Sequence, residues 1–151
     1  KDYQQKIMPS QKLCFFWGEK EFTTNRRFCT HKNKDNQYLL PINTTDSKQQ
    51  MIRIDPPLGN ITIHQIKLTS LNLQPIKFDN LSEWELSSSL EKISPNSFKS
   101  IDSDPFLFTT LPDSIDLTKY NHIVISLEVK SPLPQEIDQL NTQINSKILP
   151  N

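Results

Sequence analysis

A chain of 151 residues is enough for one domain built around a single core. Its 17 basic and 17 acidic side chains cancel, which excludes a net field drawing the domain to nucleic acid or to an anionic membrane. Hydrophobic residues make up 34%, alanine is missing, and 11 prolines stand against 2 glycines. A chain without the best helix former and rich in Ile, Leu, Ser, Thr and Asn points to an all-β fold with a thin core.

Residues 1–11 are polar around Pro9 and read as a lead-in. The start at Lys1, with no initiator methionine, suggests a piece of a longer chain. Residues 12–18, KLCFFWG, read as the first strand: Leu13, Phe15 and Trp17 share one face, Cys14 and Phe16 the other. Residues 19–25 turn the chain and 26–32 return as a second strand. Cys14 and Cys29 thus lie on consecutive strands. In an oxidising compartment a bridge between them would contribute about 3 kcal/mol; the alternative is two buried thiols acting as small hydrophobes. Neither belongs to a Cys-x-x-Cys metal pair. Beyond Asp35-Asn36, residues 37–42 read as a third strand in which Pro41 demands an edge or a strand end.

Residues 50–55 and 61–70 flank the plainest turn in the chain, Pro56-Pro57-Leu58-Gly59-Asn60. Ile52 and Ile54, then Ile61 and Ile63, and after a polar pair Ile66 and Leu68, stand at spacing two. They form a β-hairpin or a strand–loop–strand corner of a half-buried sheet. Residues 71–79 give a short sixth strand. Residues 80–103 read as an irregular surface loop, anchored by Trp84, Leu86, Leu90 and Ile93, and the first place to look for a ligand loop.

Residues 104–111 resume the strand pattern, with Phe106 and Phe108 opposite Leu107, and 112–119 form a loop. In 122–129 the residues Ile123, Ile125, Leu127 and Val129 point inward. Pro132-Leu133-Pro134 ends that strand. Ile137, Leu140, Ile144 and Ile148 then recur at helical spacing, which predicts a C-terminal helix leaving the domain. The chain divides into a lead-in (1–11), a sandwich (12–134) and a helical tail (135–151). About eight short strands joined by Pro, Asn and Asp turns predict a two-sheet antiparallel β-sandwich, jelly-roll-like, with a short C-terminal helix. The long 80–103 connection suits a jelly-roll crossover better than a closed barrel.

Three elements carry a family resemblance: CFFWGEKEF near the start, IRIDP with GNITIHQIKL in the middle, and SDPFLFTTLP followed by YNHIVISLEV. Together, over residues 12–131, they are similar to the extracytoplasmic β-sandwich domains attached to bacterial glycosyltransferases and polysaccharide-assembly membrane proteins. The resemblance implies a non-catalytic, carbohydrate-binding-like jelly roll on the periplasmic or extracellular side of the envelope. Its partners would be a glycan and the membrane-embedded remainder of its own chain. This stretch itself has no apolar run near the ~20 residues of a membrane helix, so it inserts no segment of its own.

For sugar binding, the candidate plates and hydroxyl partners are Trp84, flanked by Glu83 and Glu85, and Tyr120. Trp84 is the aromatic expected to be partly exposed; its alternative role is to plug the sandwich edge. Asp55, Asp102 and Asp104 lie at strand ends, where Asx-type turn chemistry accounts for them; the other reading is a structural Ca²⁺ that Asp55, Asp102 or Asp104 helps to hold. His31, His64 and His122 are widely spaced and read as polar-face residues. Asn43, Asn60 and Asn80 open Asn-x-Ser/Thr triplets that matter only in a eukaryotic secretory setting. Two other functions stay open: a small jelly-roll glycan hydrolase, which requires two carboxylates across a cleft, and a protein–protein interaction domain, marked by an exposed edge or apolar patch.

Overall fold

The computed structural model describes residues 11–19, 21–45, 48 and 50–130. The lead-in over 1–10 and the helix expected over 135–149 lie outside the described residues. Among the described residues there are eleven strands: β1 (Leu13–Gly18), β2 (Arg27–Thr30), β3 (Gln37–Pro41), β4 (Met51–Asp55), β5 (Asn60–Thr69), β6 (Ile76–Lys77), β7 (Glu85–Leu86), β8 (Leu90–Ser94), β9 (Ser97–Ser100), β10 (Leu107–Thr110) and β11 (His122–Lys130). Short 3₁₀ turns occupy Thr24–Arg26 and Leu117–Lys119. In the second, the Asp116 carboxylate accepts from the Thr118 hydroxyl and also from the Thr118 N–H, and these bonds hold this carboxyl below its usual range.

The strands form two antiparallel sheets. Sheet I runs β2-β1-β4-β10-β7; sheet II runs β3-β11-β5-β9-β8, with β6 added along β5. Inward side chains of both sheets build one core. Leu13, Phe15, Trp17, Ile52, Ile54 and Leu107 come from sheet I, and Tyr38, Leu40, Ile61, Ile63, Ile66, Leu68, Phe98, Ile123, Ile125 and Leu127 from sheet II. That is the layering of a β-sandwich, with period-two burial clearest on β3, β4, β5 and β9. Pro41 ends β3, an edge strand, where a residue without an N–H costs the ladder nothing.

The Asp55–Asn60 turn resolves as a corner, since β4 and β5 lie in different sheets. Gly59 sits there at φ 124°, a conformation that favours glycine, and its N–H donates to the Ser100 hydroxyl. Further along β5 the register with β11 slips: Ser126 pairs with Gln65 while Leu127 pairs with Ile63. The extra residue is a β-bulge, and it explains why the inward row jumps three positions from Ile63 to Ile66.

The 80–103 region differs from the loop expected of it. It contains β7, β8 and β9, the last two pairing as a hairpin, and β7 adding to β10. The sixth strand expected over 71–79 shrinks to Ile76–Lys77. Among the described residues no helix is long and apolar enough to cross a membrane.

Candidate functional site

Of the four residues expected to bind sugar, Trp84 does not reach the surface. Trp84 is only 7% exposed and belongs to the core, edge-on to Phe78 with ring centres 5.7 Å apart. The expectation of a partly exposed plate is therefore corrected: Glu83 and Glu85 face solvent while the residue between them turns inward. Glu85 lies on β7 opposite Phe108, and Tyr120 is half-buried against the core after the Leu117–Lys119 turn.

The three aspartates separate. Asp102 accepts from the Ser103 N–H. Asp55 and Asp104 do converge, but on Arg53. The Arg53 fork donates Nε–H to Asp55 Oδ1 at 2.6 Å and Nη2–H to Oδ2 at 2.8 Å; Asp104 stands 3.9 Å from Nη2. Ca²⁺ needs six to eight oxygen ligands. Both Asp55 oxygens are already engaged by a cation, and no group of three or more candidate metal ligands gathers among the described residues. The residues present do not fit calcium.

Arg53 is the centre of a cluster that the sequence did not announce. It projects from β4 on the outward face of sheet I, its guanidinium carbon 3.7 Å from the centre of the Phe106 ring and 4.7 Å from that of Phe16. Phe22 reaches over from the 19–26 loop to contact Phe16 and Phe108 edge-on. That loop hugs Gly18 so tightly that a Cβ there would collide with the Glu21 carbonyl. Burial pushes the Asp55 carboxyl above its ordinary range, against the pull of the Arg53 fork and with a further push from Asp104. Beside this cluster Cys14 and Cys29, directly opposed on β1 and β2, form a disulfide with Cα atoms 4.0 Å apart. A shallow hollow of about 180 Å³ follows, lined by Lys12, Asp55, Pro56, Leu58 and Asp104 among others.

The outward face of sheet II is different. A hollow of about 580 Å³ opens over Asn60, Thr62, Ser97, Lys99, Glu128 and Lys130, floored by Phe98 and walled by Ile93. A second hollow of about 280 Å³, sharing Glu128 with the first, lies between Gln37, His64, Ser126 and the Lys32–Asn36 turn. Asn33 shapes that turn by accepting two backbone N–H groups, from Asp35 and Gln37, and Asn36 takes φ 61°. Rows of strand partners carry hydroxyls, amides and a carboxylate across the strands: Thr62 and Ser97 touch at 3.0 Å, Gln37 donates to Ser126, and His64 lies 3.4 Å from Glu128. His64 reaches Glu128 because the β-bulge sits at 64–65. His122 pairs instead with Pro41 and Thr69, so the histidines do not cluster.

The groove residues were readable only as the outward parity of β5 and β11, Thr62 and then Ser126, Glu128 and Lys130. Sequence gave no reason to choose them over any other polar strand face. In comparisons with known proteins, no family model, no curated protein and no solved structure matches this chain.

Proposed function

We propose that the chain is a jelly-roll-like, non-catalytic module of a larger bacterial envelope membrane protein, of the glycosyltransferase-associated or polysaccharide-assembly kind, and that it holds or positions a glycan outside the cytoplasmic membrane. The observation that carries this reading is the pair of adjoining hollows on the outward face of sheet II, which share Glu128. Its combined extent suits an extended ligand, and it offers hydroxyl, amide and carboxylate groups at the surface. Its one phenyl ring, Phe98, is buried beneath the floor, so a sugar would be held by hydrogen bonds across the strands rather than stacked on a phenyl plate. The Cys14–Cys29 bridge supports an oxidising compartment.

The test is a titration of the isotope-labelled chain with neutral envelope-type oligosaccharides. Amide shifts are expected to concentrate at Thr62, Ser97, Ser126 and Glu128, and Glu128→Gln is expected to weaken binding roughly tenfold through loss of a charge-assisted hydrogen bond. Silence at the groove with every oligosaccharide would leave the module as a scaffold for its own chain.

A further inference from the structure

The outward face of sheet II changes character beyond the groove. Towards the end opposite the Asp55–Asn60 corner, one cross-strand row reads Leu39, Val124, Lys67, Lys77, and the next reads Pro41, His122, Thr69. Lys67 and Lys77 are direct partners on β5 and β6, an arrangement in which like charges repel. The loop that joins these two strands, residues 70–75, carries Leu71 at 95% exposure and Leu73 at 43%, and Leu39 in the adjoining row is 47% exposed. The face's acidic lining, Glu128 and Asp35, belongs to the groove half. Asp79, exposed and two residues beyond Lys77, is the nearest carboxylate in sequence.

We propose that this half of the face, led by the 70–75 loop, docks peripherally on an anionic membrane surface. Leucines borne on a projecting loop can enter the boundary between headgroups and acyl chains. The two lysine stems can lie along apolar surface while their ammonium groups meet lipid phosphates. One anionic surface also relieves the repulsion between Lys67 and Lys77. The chain's zero net charge supplies no long-range attraction, so the contact is short-ranged and weak. A contact of that strength suffices for a domain already held beside a membrane, where the effective concentration is high.

Co-sedimentation of the full chain with vesicles at several-fold lipid excess tests this. Vesicles containing phosphatidylglycerol are expected to bind the protein about thirtyfold more tightly than phosphatidylcholine alone, from about two lysine contacts. The pair Leu71→Asp/Leu73→Asp, at exposed positions that leave melting unchanged, is expected to lose that excess, as is Lys67→Glu/Lys77→Glu. Equal pelleting on both lipids, no pelleting on either, or full retention by the leucine pair overturns the proposal. Recovery of the loop in a stoichiometric protein complex with no lipid dependence overturns it too, in favour of a protein partner.

Discussion

The two outward faces of this sandwich dispose of their polar groups in opposite ways. On sheet I, Arg53 is spent within the molecule: its fork closes on Asp55, its flat faces lie against phenylalanine rings, and the neighbouring strands are stapled by Cys14–Cys29. On sheet II, hydroxyls, amides and Glu128 line open hollows, and beyond them leucines and lysines stand at the surface. A polar or aromatic residue on a strand's outer face is therefore no guide to function until its partners are known. Where partners are local and complete the group stabilises the fold; where they open onto a groove it is available to a ligand.

That contrast is strained most by replacing the residue that looked like a ligand plate. Trp84→Ala is expected to cost about 3–5 kcal/mol in urea denaturation, the range for emptying a large core site. At temperatures where the variant stays folded, groove titrations should be unchanged. Loss of binding without loss of stability would return Trp84 to the ligand.

Opening the staple comes next. Cys14→Ser/Cys29→Ser is expected to lower stability by about 3 kcal/mol, from the entropy of a loop of that length. The same measurement in reductant should bring the native chain down to the level of the double variant.

Arg53→Met keeps the apolar stem but leaves the Asp55 carboxylate partly buried without its cation. An expected cost of about 2 kcal/mol follows, a value reduced from that of a fully buried pair because both side chains retain some solvent contact. Since the role assigned to this cluster is structural, groove titrations should not move. If they do, the division between the faces fails.

The effect with the narrowest window, seen only at high pH, belongs to Tyr38. Burial pushes its phenol from 10.0 up to about 12, and its hydroxyl donates to the Gln11 carbonyl at 2.7 Å. A folded-state value above the unfolded one means that the contribution is fully present below pH 10 and is lost as the pH climbs towards 12. Urea midpoints followed across that window should fall for the native chain and stay flatter for Tyr38→Phe.

The sequence was most legible where burial alternates and pairing partners are long. β11 and the Ile52–Leu68 stretch announced themselves by period-two rows, and even the bulge left a trace in the three-residue step from Ile63 to Ile66. The 80–103 region was opaque because β7 is two residues long and pairs with the distant β10, while the Ser-rich connection to β8 shows no alternation. Trp84 misled because two flanking glutamates look like a wet environment, when alternation in fact sends the central ring inward. The Arg53 cluster draws its rings from β1, the 19–26 loop and the β10 approach, so no local pattern could reveal it.

Gln11, held by Tyr38, leads through Lys12 into the hollow beside Pro56–Leu58, and Lys130 pairs with Asn60 across the same corner. Traction on the flanking segments would thus load β1 and β11 from one side, unzipping ladder bonds in succession rather than shearing a whole strand at once. Only one residue of β1 lies ahead of Cys14. The bridge to β2 is a mechanical stop that arrests the peeling of β1 almost where it starts.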